Sequence, residues 1–151
     1  MRFKQVGELV QGLIDARLAL GKLYARLAAQ VDSSRSRMVL EYLSGRERAG
    51  HDQLLNYLQQ APRGVIDTWF QNAFDSDFVA RLNRIQLDAG ACPNDVLELA
   101  LGLDQQLIEL LAQQAAQAST PESRDALLSM MADEQLQQRK MVLNIARFED
   151  I

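Results

Sequence analysis

The chain has 151 residues, with 16 Lys and Arg against 20 Asp and Glu and a formal net charge of −4. That length suits one domain with a substantial core, and the acid excess argues against a surface built to neutralise nucleic-acid phosphates. Cys92 is the single cysteine, which excludes an internal disulfide, and no apolar run reaches membrane-spanning length.

The N-terminus, Met1-Arg2-Phe3-Lys4-Gln5, lacks the apolar core of a signal peptide, so a cytoplasmic protein is expected. A first amphipathic segment runs from Lys4 to Val31, with Leu13, Leu20, Tyr24, Leu27 and Val31 on one face. A second starts after Asp32-Ser33-Ser34, carries Leu40, Leu43, Leu54, Tyr57 and Leu58, and stops before Pro62-Arg63-Gly64. Residues 62–94 are too many for a simple turn, and two short helices are expected there, Val65–Phe74 and Asp77–Asp88. Cys92, in the loop Ala91-Cys92-Pro93-Asn94, has no nearby histidine and reads as a plain small residue. A third long segment begins after Pro93, where Asp95 and Glu98 read as a capping box, and carries Leu97, Ala100, Leu107 and Leu111. A fourth opens with Thr120 as N-cap and Pro121 at the first helical position; its stripe is Leu127, Met130, Met141, Ile145 and Phe148. No segment reads as a strand. The basic residues Arg35, Arg37, Arg46, Arg48, Arg81, Arg84, Arg139 and Lys140 are interrupted by acids and read as solvated faces.

The chain also repeats itself. Residues 23–47 shifted by 87 positions fall on 110–134 with nine identities, among them Ala28/Ala115, Ser36/Ser123, Leu40/Leu127 and Glu47/Glu134. Two copies of a helical hairpin, residues 4–61 and 95–148 around a crossover at 62–94, imply an all-α bundle in one domain, residues 1–151, laid out up–down, long crossover, up–down. The same shift pairs Arg17 with Asp104. Arg17, Glu47, Asp104 and Glu134 each interrupt an apolar stripe at helical spacing, so all four are expected to point inward. Charges that enter a core must pair or bind metal.

Two hairpins joined by a long crossover, with an inward charged residue on each helix, resemble the ferritin-like superfamily, and Leu23-Tyr24-Ala25-Arg26-Leu27-Ala28 is similar to the first helix of its rubrerythrin-type branch. That resemblance implies a four-helix bundle and a di-metal site, with one Glu on each of the first and third helices and Glu-x-x-His on each of the others. At those places this chain has Arg17, Asp104, Glu47 with Gly50, and Glu134 with Gln137. Neither histidine is present, and a guanidinium stands where a carboxylate is implied.

Two outcomes stay open for the centre. In one, Arg17 replaces the metal and forms a buried polar network with Glu47, Asp104, Glu134 and Gln137, in which one carboxyl keeps its proton. In the other, Glu47 and His51, four residues apart on one face, bind iron or another divalent transition metal together with Asp104 and Glu134. The aromatic cluster Trp69, Phe70, Phe74 and Phe78 either caps the bundle or forms an interface for a homodimer or a protein partner. The expectation is a non-catalytic interaction or scaffold protein without cofactor, with no nucleic-acid or membrane partner. The alternatives are a ferritin-like oxidoreductase of peroxide or oxygen chemistry, and a small-molecule carrier that uses the bundle interior.

Overall fold

Leucine and alanine at three- and four-residue spacing, with no proline inside the segments, produce four long helices. The computed structural model describes residues 3–60, 69–71 and 77–149. Within them the order is β1 (Phe3–Gln5), α1 (Val6–Ala28), α2 (Ser34–Gln60), β2 (Trp69–Gln71), α3 (Asp77–Leu82), α4 (Pro93–Ala116) and α5 (Pro121–Glu149). The fold is all-α in architecture, as expected: α1 and α2 form one hairpin, α4 and α5 the other. Their inward residues make one hydrophobic core that includes Leu13, Leu20, Tyr24, Leu40, Leu43, Ala100, Leu107, Leu127, Met141 and Ile145.

Caps set where the helices begin. The Ser33 hydroxyl accepts from the backbone N–H of Ser36 at 3.2 Å, and the Thr120 hydroxyl accepts from that of Ser123 at the same distance. At α4 the cap lies one turn earlier than the sequence suggests. Asp95 is the third helical residue, and its carboxylate accepts from the N–H of Cys92 at 3.0 Å, which makes Cys92 the N-cap and Pro93 the first helical residue. Glu98 has no part in that box; its carboxylate accepts from the Asn94 side chain at 3.5 Å. Cys92 is exposed.

Two contacts bring the turn after α1 to the start of α4. The buried Ser36 hydroxyl donates to the Ala91 carbonyl at 2.6 Å, and the Asp32 N–H donates to the Ala89 carbonyl at 2.8 Å. Helices α2 and α4 therefore begin at the same end of the bundle. Asp104 is eleven residues into α4 and Glu47 thirteen into α2, so both lie near mid-height. Gly21 and Ser44 set the spacing between α1 and α2: the buried Ser44 hydroxyl donates to the Gly21 carbonyl at 3.0 Å. One turn along each helix, that approach brings Arg17 to Glu47.

The crossover differs from expectation. Residues 69–71 are extended and pair antiparallel with residues 3–5, in the register Phe3↔Gln71, Lys4↔Phe70 and Gln5↔Trp69. The helix expected over Val65–Phe74 is absent at those three positions, where aromatic residues favour extended backbone and one edge of the strand pairs with β1; the rest of that span lies outside the described residues. The helix expected over Asp77–Asp88 stops at Leu82. There the Arg26 guanidinium donates to the carbonyls of Leu82 at 3.4 Å and Ile85 at 3.0 Å, taking up acceptors that a longer helix would satisfy itself. Phe78 is fully buried, with the Arg81 guanidinium 5.9 Å from its ring centre. It belongs to the core and is not available as an interface, because a fully enclosed ring gains its burial energy within the chain. The side chains of Trp69 and Phe70, and all of Phe74, lie outside the described residues.

Candidate functional site

Each long helix sends one charged side chain into the centre, because each of these residues shares a face with apolar neighbours three or four places away. Arg17 is 4% exposed, Glu47 1% and Asp104 2%. The Glu134 side chain is 16% exposed and stands at the rim. Arg17 Nη1 lies 2.7 Å from Glu47 Oε2 and 3.7 Å from Asp104 Oδ1, and Arg17 Nη2 pairs with Glu134 Oε2. One guanidinium from α1 thus reaches a carboxylate on each of the other three long helices.

The sequence reading missed the second cation. Arg46, assigned there to a solvated face, has a side chain only 10% exposed. Its Nη1 donates to Glu47 Oε1 at 3.0 Å and its Nη2 to Asp104 Oδ2 at 2.8 Å. Arg17, Glu47, Arg46 and Asp104 therefore close a ring of alternating charge, with Glu134 attached outside it. The signal for Arg46 was weak: it precedes Glu47 directly, and neighbouring residues on a helix diverge by about 100°. A long side chain can still bend its head inward while its stem lies along the helix surface.

Two cations now face three anions, leaving one negative charge in excess. Burial raises the Glu47 carboxyl above its ordinary value of 4.5; Arg17 and Arg46 pull it down, and Asp104 pushes it up again. Burial opposes the charge on Arg46, but Asp104 and Glu47 more than offset this and hold its pKa above the usual value. The hydroxyl of Tyr24, about two turns along α1 from Arg17, stays protonated: burial raises its pKa well above 10.0, and Glu47 and Asp104 add to the shift.

His51 does not join this cluster. Its Nδ1 lies 3.2 Å from the carboxylate of Asp52, itself 80% exposed, and the ring is at the bundle's margin. Among the described residues, no group of three or more His, Cys, Asp and Glu is placed to hold a metal ion, so Glu47, His51, Asp104 and Glu134 do not form such a set. Gly50 and Gln137 line a pocket of about 170 Å³ beside the ring, together with Arg17, Leu54, Tyr57 and Met130. A β-carbon at Gly50 would sit 3.6 Å from both Cδ and Nε of Arg17. The glycine leaves room for the arginine stem where a larger side chain would compete for the space.

No protein-family model matches the chain, and no curated protein matches it. Among solved structures, a crystal structure of a Thermotoga maritima protein described as ferritin-like and diiron-carboxylate superposes with a TM-score of 0.58 at 14% identity, covering 94% of this chain and 95% of that one. The fold is therefore ferritin-like. Among the described residues, no helix is long and apolar enough to cross a membrane.

Proposed function

We propose that this chain is a non-catalytic ferritin-like bundle, derived from the rubrerythrin-type branch, whose di-metal position is taken by the arginine–carboxylate ring. It works as a cytoplasmic interaction or scaffold protein. The observation that carries this reading is the Arg17 guanidinium within ion-pair distance of Glu47, Asp104 and Glu134 at once. The residues present do not fit two metal ions. The three carboxylates are already ion-paired with two guanidinium groups, Gly50 and Gln137 stand where imidazoles would be needed, and a permanent cation fills the space between the helices. Bridging carboxylates on facing helices is the structural part of what metal ions do in such a bundle, and a planar fork with fixed donors does it without redox chemistry.

The likeness to a protein described as diiron-carboxylate favours a second reading, a metal-binding oxidoreductase with an altered site at Glu47, His51, Asp104 and Glu134. That reading requires His51 to leave Asp52 and the carboxylates to leave both arginines. Elemental analysis of protein purified without chelator separates the two. The scaffold reading expects no stoichiometric iron, manganese or zinc. Stoichiometric metal that disappears in Glu47→Ala would overturn it.

A further inference from the structure

Helix α5 buries one face against the core through Leu127, Met130, Met141 and Ile145, and leaves the opposite face bare. On that bare face stand Asp125, Ser129, Leu136, Leu143 and Arg147, at helical spacing and all exposed. Leu136 is 46% exposed and Leu143 66%, the latter the most exposed large apolar side chain among the described residues. Charge divides the face by halves. Asp125 and Asp133 precede Leu136, while Lys140 and Arg147 follow it, and none of the four has an ion-pair partner among the described residues. Acids early and bases late also suit a helix dipole, but that effect fades within the terminal turns. It accounts for neither Asp133 and Lys140 in mid-helix nor the two exposed leucines.

We infer that this face is the contact between two copies of the chain, with α5 packed antiparallel on α5 about a two-fold axis at Leu136. The register follows from numbering alone. Asp125 and Arg147 stand eleven residues to either side of Leu136, and Asp133 and Lys140 stand three before and four after it. Antiparallel packing on that axis sets Asp125 against Arg147 of the second copy, and Asp133 against Lys140 of the second copy. Two-fold symmetry then repeats each pair. Asp133 and Lys140 fall on the same side of the seam, Asp125 and Arg147 lie within about 20° of its centre line, Leu136 meets its own copy at the centre, and Leu143 covers Ser129. A parallel arrangement would set acid against acid and base against base, so the charge order selects the antiparallel one. The partner is a second copy because this helix supplies its own complement.

Cross-linking tests the register. In a Cys92→Ser background, oxidised Leu136→Cys protein is expected to form an intermolecular disulfide in high yield. Leu128→Cys lies eight residues from the axis, so its two copies would be about 24 Å apart at 1.5 Å rise per residue, and it is expected to form none. Charge exchange tests the pairing. Asp125→Arg with Asp133→Lys, and separately Lys140→Asp with Arg147→Asp, should each weaken self-association by roughly tenfold or more in sedimentation equilibrium. Mixing the two variants should restore a heterodimer of native affinity, while circular dichroism confirms that each remains folded. The proposal is overturned by a wild-type chain that stays monomeric across the concentration series, which would leave the face to another protein's helix or to solvent. It is equally overturned by cross-linking at residue 128 in preference to 136, or by charge variants that self-associate unchanged or do not recover on mixing.

Discussion

Arg46 Nη2 lies 2.8 Å from Asp104 Oδ2, which ties α2 of the first hairpin to α4 of the second through a charge pair almost sealed from water. Removing one member of such a pair leaves its partner buried and uncompensated. Arg46→Ala is therefore expected to destabilise the fold by about 3–5 kcal/mol, read from denaturant midpoints at constant slope. An exposed Arg46, as on a solvated face, would cost close to nothing.

Arg17→Ala should cost a similar amount, about 3–5 kcal/mol, because it strips the shared cation from Glu47, Asp104 and Glu134 together. The two arginines share Glu47 and Asp104, so their effects should not add. A double-mutant cycle is expected to give a coupling of roughly 0.5–3 kcal/mol; simple additivity would mean that the ring is two separate pairs.

The raised Glu47 pKa carries a sign that runs against the usual carboxylate. A group that holds its proton more tightly when folded contributes most at pH below its unfolded value of 4.5, and that contribution declines as pH rises from there through the folded value. The stability of the wild type relative to Glu47→Gln should therefore fall with rising pH across that window and level off above it. A gap that widened with pH would show that the carboxyl is instead stabilised in its charged form.

Gly50 tests the steric side of the site. A methyl group there would make an ordinary contact of 3.6 Å with Arg17, so Gly50→Ala should be neutral or stabilising by up to about 1 kcal/mol through helix propensity. Gly50→His, which restores the implied Glu-x-x-His spacing, should cost roughly 1–3 kcal/mol by crowding the Arg17 stem. Combining Gly50→His with Arg17→Ala should cost less than the two single changes summed, because the stem that the imidazole crowds is no longer there.

Much of this arrangement was legible because helical periodicity is a strong signal. Leu13, Leu20, Tyr24, Leu40 and Leu107 sit in the core where their spacing puts them, and Arg17, Glu47 and Asp104 were placed inward by the same spacing. Arg46 was not legible, because a flexible stem lets its head reach inward from a position where its backbone does not point. The β1–β2 ladder was hidden for another reason: three-residue strands pair through the backbone, over more than sixty intervening residues, and leave no periodic trace. The end of α3 depended on Arg26, a partner 56 residues away in sequence, and local propensity carries no record of it.

That ladder has a kinetic consequence. Joining Gln5 to Trp69 encloses the whole first hairpin in a loop, and such closure gains contacts only after the enclosed helices have condensed. The clasp should form late in folding, and with three residue pairs it should also be among the first parts to open. In native-state hydrogen exchange, its amides are expected to exchange through local opening, far faster than those around Leu40 and Leu107, where only global unfolding lets solvent in.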